Sequence, residues 1–176
     1  LGRLVRSEAA DGTVASTRYA SRPTGGRLVS VIDPLGRATR TETNMRGNPV
    51  NIYDAQGGRT QVIYGASDRV ERVLNPGGIA TTYEYNDLGY RTKIDDPDLG
   101  VLSYEYNGFG EVTREIDPKN QIRTYEYDVL GRLRQRVEPD MTTTFQYDTA
   151  PRGIGQLAAT KRSDGQSAEY FYDAYA

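Results

Sequence analysis

Asp128-Val129-Leu130-Gly131-Arg132-Leu133-Arg134-Gln135-Arg136-Val137-Glu138-Pro139-Asp140-Met141-Thr142-Thr143-Thr144-Phe145-Gln146-Tyr147 reads as one β-hairpin from end to end. Arg132 to Val137 alternates with a period of two, as a half-buried strand does. Glu138-Pro139-Asp140 is a turn in which the proline ring fixes φ. Thr142 to Tyr147 is β-branched and aromatic and alternates again. Asp128 to Gly131 is the reverse turn, where Asp caps its own backbone and Gly supplies a positive φ.

The hairpin recurs. Tyr64, Tyr85, Tyr106 and Tyr127 stand 21 residues apart; Tyr147 follows after 20, and Tyr172 after an insertion. Four residues beyond the first four lie Asp68, Gly89, Gly110 and Gly131, and Gly26 and Gly47 fit the same step. A second column, Pro34, Pro76, Pro97, Pro118 and Pro139, keeps the same period, with Ala55 in its empty slot. Two columns with one period predict a tandem array over residues 1–176, about eight units beginning near Gly2, Gly26, Gly47, Asp68, Gly89, Gly110, Gly131 and Gly155. The chain opens on Leu1-Gly2-Arg3 without an initiator Met and ends where a ninth unit would start, at Asp173-Ala174-Tyr175-Ala176. It is therefore expected to be a fragment of a longer protein. The expected fold is all-β: an antiparallel curved sheet of tandem hairpins with up to sixteen strands. Nowhere does the sequence show a helical period of 3.6.

Alternation assigns the faces. Tyr125 and Tyr127 share one face against Thr124 and Glu126, Tyr104 and Tyr106 oppose Glu105, and Tyr83 and Tyr85 oppose Glu84. Phe145/Tyr147 and Tyr170/Tyr172 repeat the pattern. On the outgoing strand, strict alternation puts Leu133 and Val137 together and Arg132, Arg134 and Arg136 opposite. Two residues past each unit start come Leu4, Leu28, Val70, Val112, Leu133 and Leu157, with Pro49 and Arg91 as exceptions. One packed Tyr/Leu/Val face and one solvated Arg/Glu face are expected, with stability summed over repeats and their interfaces.

Composition narrows the function. Hydrophobic residues make up 36% and mean hydropathy is −0.69, too polar for a thick core, while 14 Tyr argue for order. The 22 basic and 24 acidic residues leave a net charge of −2, so no basic field for nucleic acid exists. No apolar run approaches the roughly 20 residues of a membrane-spanning helix. Zero Cys excludes disulfides and thiolate chemistry, and zero His removes the commonest general base and metal ligand.

Tyr127-Asp128-Val129-Leu130-Gly131-Arg132-Leu133 resembles the Y-D-x-x-G-R-L signature of RHS/YD repeats. Tyr106-Asn107-Gly108-Phe109-Gly110, Tyr85-Asn86-Asp87-Leu88-Gly89 and Tyr172-Asp173 are weaker copies. Ile116-Asp117-Pro118 and Ile32-Asp33-Pro34-Leu35-Gly36-Arg37 resemble the family's D-P-x-G turn. The resemblance covers nearly the whole chain. It implies a sheet spiralling into a hollow shell, as in bacterial polymorphic toxins, the C component of Tc toxins and the teneurins. In the toxins such a shell encloses a C-terminal toxic domain. The implied partners are the remainder of the shell and that enclosed domain. The implied location is extracellular, by secretion or delivery. Some family shells end in a self-cleaving segment carrying Asp residues, and nothing in this chain matches it.

Competing sites were weighed. Asp95, Asp96 and Asp98 around Pro97 could hold Ca²⁺, but no neighbouring unit repeats them and no D-x-D-x-D-G loop is present, so a solvated turn is expected. Glu115 and Asp117 could do acid–base work. Alternation instead puts Glu115 on the charged outer face and Asp117 in a turn. A tyrosine stripe can stack sugars, which makes a carbohydrate-binding or adhesion module the alternative function. Regular recurrence favours a packing ladder, because a ligand site is local. Two stretches, Ser21 to Gly25 and Asp148 to Gly155, break the period and read as tolerated rim insertions. The expectation is a non-enzymatic structural wall without cofactor or metal. Its recurring residues are the tyrosines, Gly89, Gly110, Gly131 and the proline column. Its unpaired sheet edges are expected to invite self-association.

Overall fold

The computed structural model describes residues 3–173; the start near Gly2 and the ninth unit at Ala174 to Ala176 lie outside them. Sixteen strands follow one another in chain order. They are β1 (Arg6–Glu8), β2 (Val14–Ser21), β3 (Arg27–Ile32), β4 (Ala38–Thr43), β5 (Pro49–Tyr53), β6 (Arg59–Tyr64), β7 (Val70–Leu74) and β8 (Ala80–Tyr85). Then come β9 (Arg91–Asp96), β10 (Gly100–Tyr106), β11 (Val112–Ile116), β12 (Ile122–Tyr127), β13 (Leu133–Glu138), β14 (Met141–Tyr147), β15 (Leu157–Arg162) and β16 (Ser167–Glu169). No helix occurs among the described residues. The fold is all-β and antiparallel. The chain forms two compact units that meet within β8, one up to Tyr83 and one from Glu84.

Neither unit has a conventional core. Among the described residues, only Ala158 and Thr143 fall below a tenth of full exposure. The total exposed surface is 12201 Å², against about 8,600 Å² for a compact monomer of this mass. Stability therefore rests on ladder hydrogen bonds and cross-strand pairs, the latter contributing about 0.2–1 kcal/mol each.

In the first unit, registers put Tyr19, Val29 and Thr41 in one row, and Tyr64, Val70, Val62 and Val73 on one face. The expected place of Leu28 on that face is wrong: it pairs with Ala20, and Val29 pairs with Tyr19. The cause is the extra segment near Ser21. It lengthens β2 to eight residues and moves the turn out to Arg22–Gly26, so it extends the hairpin arms rather than swelling a rim loop.

In the second unit, the ladder shifts register between Glu105 and Tyr106, Glu126 and Tyr127, and Gln146 and Tyr147. At each shift the facing strand carries one extra residue, Thr113, Arg134 or Ala158, a β-bulge. Similar shifts lie beside Thr43 and Tyr64 in the first unit.

The bulges overturn the face assignment of the outgoing strand. Tyr127 pairs with Leu133 but Tyr125 pairs with Arg136, while Val137 pairs with Thr124. Leu133 and Arg136 therefore share the tyrosine face and Val137 lies on the other. The bulge absorbs one residue and inverts the alternation beyond it. The same inversion brings Glu115 opposite Tyr104, onto the tyrosine face rather than the outer one.

Candidate functional site

The turns at both rims share one construction. The first residue's N–H donates to the carbonyl of the fifth, and the fourth residue's N–H donates back to the carbonyl of the first. Asp33–Arg37, Asn44–Asn48, Asn107–Glu111 and Asp128–Arg132 all close this way. The loop is three residues long and ends on a left-handed residue, the bulged hairpin turn. At Asp33, Asn44, Asp54, Asn107, Asp117 and Asp128 the side-chain Oδ1 also accepts the N–H groups two and four residues on, at 2.7–3.1 Å. The Y-D-x-x-G and D-P-x-G motifs are thus one Asx turn used twice per unit.

Gly89, Gly110 and Gly131 hold the left-handed slot at the tyrosine rim, with φ of 88°, 84° and 77°, and Asp68 holds it at 62°. The proline rim has its own such column in Gly36, Gly57, Gly78 and Asn120, which the reading by proline alone passed over. Pro34, Pro76 and Pro118 take the first loop position, where φ is already near their fixed value. Pro97 follows Asp96, and Pro139 opens a two-residue loop between paired Glu138 and Met141.

The tyrosines perform a second task. The hydroxyls of Tyr19, Tyr106, Tyr127, Tyr147 and Tyr172 donate to the carbonyls of Leu4, Arg91, Val112, Leu133 and Leu157 at 2.7–3.2 Å. In each case the ladder between those two strands has already stopped; β11 and β12, for example, pair only from Arg114↔Thr124 inward. Each hydroxyl caps a carbonyl that the bulge has stripped of a strand partner, so the ring bridges the parted arms of its own hairpin. Burial pushes the hydroxyl pKa of Tyr106 and Tyr127 above the ordinary phenol value, which keeps them as donors. At Tyr64 burial and the Asp68 charge act the same way. Tyr83 and Tyr85 alternate with exposed Glu84 along β8, and Tyr104 faces Glu115.

Neighbouring tyrosine-rim turns are also tied sideways. Arg132 bonds Asp128 at 2.7 Å and Asp148 at 2.8 and 3.1 Å, with its guanidinium 4.4 Å from the Tyr147 ring centre. In the first unit, Asn48 donates to Asp68 at 2.8 Å and Arg46 pairs with Asp68 at 3.3 Å.

Further along the tyrosine face of the second unit lies a charged group that sequence alternation did not find. Glu115 accepts from Arg123 at 2.7 Å and from the Tyr125 hydroxyl at 3.1 Å. Glu138 lies 3.5 Å from Arg123 and 3.0 Å from Arg136. Burial, then the Glu115 charge, raises the Tyr125 pKa. A phenol held protonated beside a carboxylate is a structural donor, not an activated nucleophile. Asp96 accepts the N–H groups of Asp98 and Leu99, both at 3.0 Å, as a turn does. Among the described residues no three acidic side chains converge as a metal site.

A wall of one recurring hairpin, closed by Asx turns and tied by tyrosine hydroxyls, is a structural repeat array. The chain belongs to the Teneurin YD-shell family, whose model matches residues 3–175. Similar solved structures include the Tc holotoxin pore of Photorhabdus luminescens, at TM-score 0.61 and 13% identity over 98% of this chain. The TcdB2–TccC3–Cdc42 complex follows at TM-score 0.55 and 16% identity over 96%. The likeness is one of fold, and this chain spans 12% of the length of each. No curated protein matches it.

Proposed function

We propose that this chain is a non-catalytic segment of the wall of a hollow β-shell that encloses a toxin or effector domain, delivered outside the cell that makes it. Its eight units, with their tyrosine, glycine and proline columns, are the bricks of that wall. The mechanism is steric: a closed sheet separates an enclosed polypeptide from solvent and from targets. The observation that carries this reading is a two-faced repeat with almost no core, inside a shell family. Surface left open on both faces of a single layer has a use when one side becomes an interior. The tyrosine hydroxyls that would orient a sugar are instead engaged by backbone carbonyls, which weighs against a glycan-binding ladder. The test is deletion of these repeats from the full-length parent followed by limited proteolysis. Cargo that becomes cleavable supports the reading; cargo that stays protected overturns it.

A further inference from the structure

We propose an oxyanion-binding site on the tyrosine face of the second unit, above Thr143 and between Arg136 and Arg162. Three adjacent strands place these residues in one row, since Thr143 pairs with Arg136 on one side and with Arg162 on the other. Strands about 4.8 Å apart bring two such arginines within reach of a single bound group. The concavity over the row has a volume of about 620 Å³ and is also lined by Phe145 and Thr160.

Both guanidinium groups are held from outside and left unsatisfied within. Arg136 is fixed by Glu138 at 3.0 Å, yet its Nε is buried without any acceptor. Arg162 is fixed by Gln166 at 2.7 Å and Asp164 at 2.9 Å, and its Nε meets only the Met141 sulfur at 3.3 Å, a weak acceptor. Glu138 is shared with Arg123 at 3.5 Å. A buried guanidinium N–H without an oxygen acceptor is costly, and a carboxylate or phosphate is the group whose oxygens match its fork. Thr143, only 7% exposed, forms the floor. The ligand class is an oxyanion, either free or carried on the acidic side chain of a polypeptide. The site does not depend on the shell function.

The test is NMR of the arginine Nε–H signals of the whole chain. One titration uses inorganic phosphate and another a capped glutamate-rich peptide, both at constant ionic strength held by chloride. The Arg136 and Arg162 signals are expected to move together and saturate, while those of Arg6 and Arg114 stay in place. Arg136→Gln or Arg162→Gln should weaken binding about tenfold. Met141→Leu, which removes only the sulfur contact, should leave binding intact and reports on folding. Arg162→Lys, which keeps the charge but loses the fork, should weaken binding too. Saturation by phosphate alone assigns a small oxyanion, and saturation by the peptide alone assigns a polypeptide carboxylate. Unmoved signals in both titrations, equal movement of every arginine, or an Arg136→Gln titration identical to the parent would overturn the site.

Discussion

The tyrosine rim and the proline rim close their hairpins with the same three-residue Asx turn, but only the tyrosine rim carries a bulge and a side chain that repairs it. At the proline rim the arms stay paired close to the loop, as in Asp33–Arg37 next to Ile32↔Ala38. At the tyrosine rim the arms part, and a phenol hydroxyl replaces the lost ladder bond. Identical turn chemistry can therefore sit on unequal scaffolds, and the crowding around the turn, not its type, sets what a mutation costs.

The largest expected effect comes from adding a methyl group to the left-handed glycines. At Gly110 a Cβ would lie 2.5 Å from the Tyr90 hydroxyl, on a ring that stacks against Tyr106 with centroids 5.1 Å apart. At Gly78 on the proline rim a Cβ would meet nothing within 4 Å. Gly78→Ala should cost only the left-handed strain of about 1–2 kcal/mol. Gly110→Ala should cost about 1 kcal/mol more, because the ring stack must also move. Urea unfolding of the two variants checks this. Equal losses would mean that crowding at the tyrosine rim has no energetic weight.

A smaller effect separates the hydroxyl from the ring. Tyr127→Phe keeps the packing and leaves the Val112 carbonyl uncapped, at a cost of about 1 kcal/mol. Hydrogen exchange should quicken at the tyrosine-rim ends of β11 and β12 and stay unchanged at Asp117 to Gln121. Uniform acceleration through both rims would show that the hydroxyl supports the whole sheet and not the parted arms alone.

The tandem hairpins, the strand content and the turn positions were legible in the sequence because each depends on local chemistry: Pro for φ, Asx for capping, Gly for the left-handed slot. What lay beyond reach was the bulge. A period-two reading of Arg132 to Val137 looks faultless, yet one looped-out residue at Arg134 inverts everything after it, and no residue type marks the position: Thr113, Arg134 and Ala158 share no chemistry. The misplacement of Glu115 follows from that single hidden residue, and so does the charged row between Arg123 and Arg162. The hydroxyl ties were foreshadowed only by the regularity of the tyrosines, which fits a packing ladder equally well.

The smallest effect is electrostatic and tells the two rims apart by cause. Asp128 is held below the usual carboxylate pKa, first by the Arg132 backbone N–H and then by its guanidinium. Asp148 is lowered first by the Arg132 guanidinium and then by the Gly155 N–H, and Asp33 at the proline rim first by the backbone N–H of Arg37. A carboxylate with a lower pKa folded than unfolded stabilises the fold above its unfolded value near 4, and loses that contribution as pH falls through the folded value. All three are solvent-exposed, so each contribution is small and salt-sensitive. Carboxyl carbon NMR should therefore show no change between pH 7 and 5 and titration only below about pH 4. In Arg132→Gln the Asp148 pKa should return most of the way toward the ordinary value. Asp128 and Asp33 should stay low, because a backbone N–H and not a side-chain charge is their main support. If Asp128 rose as far as Asp148, the ion pair rather than the shared Asx turn would govern the tyrosine rim, and the equivalence of the two turns would fail.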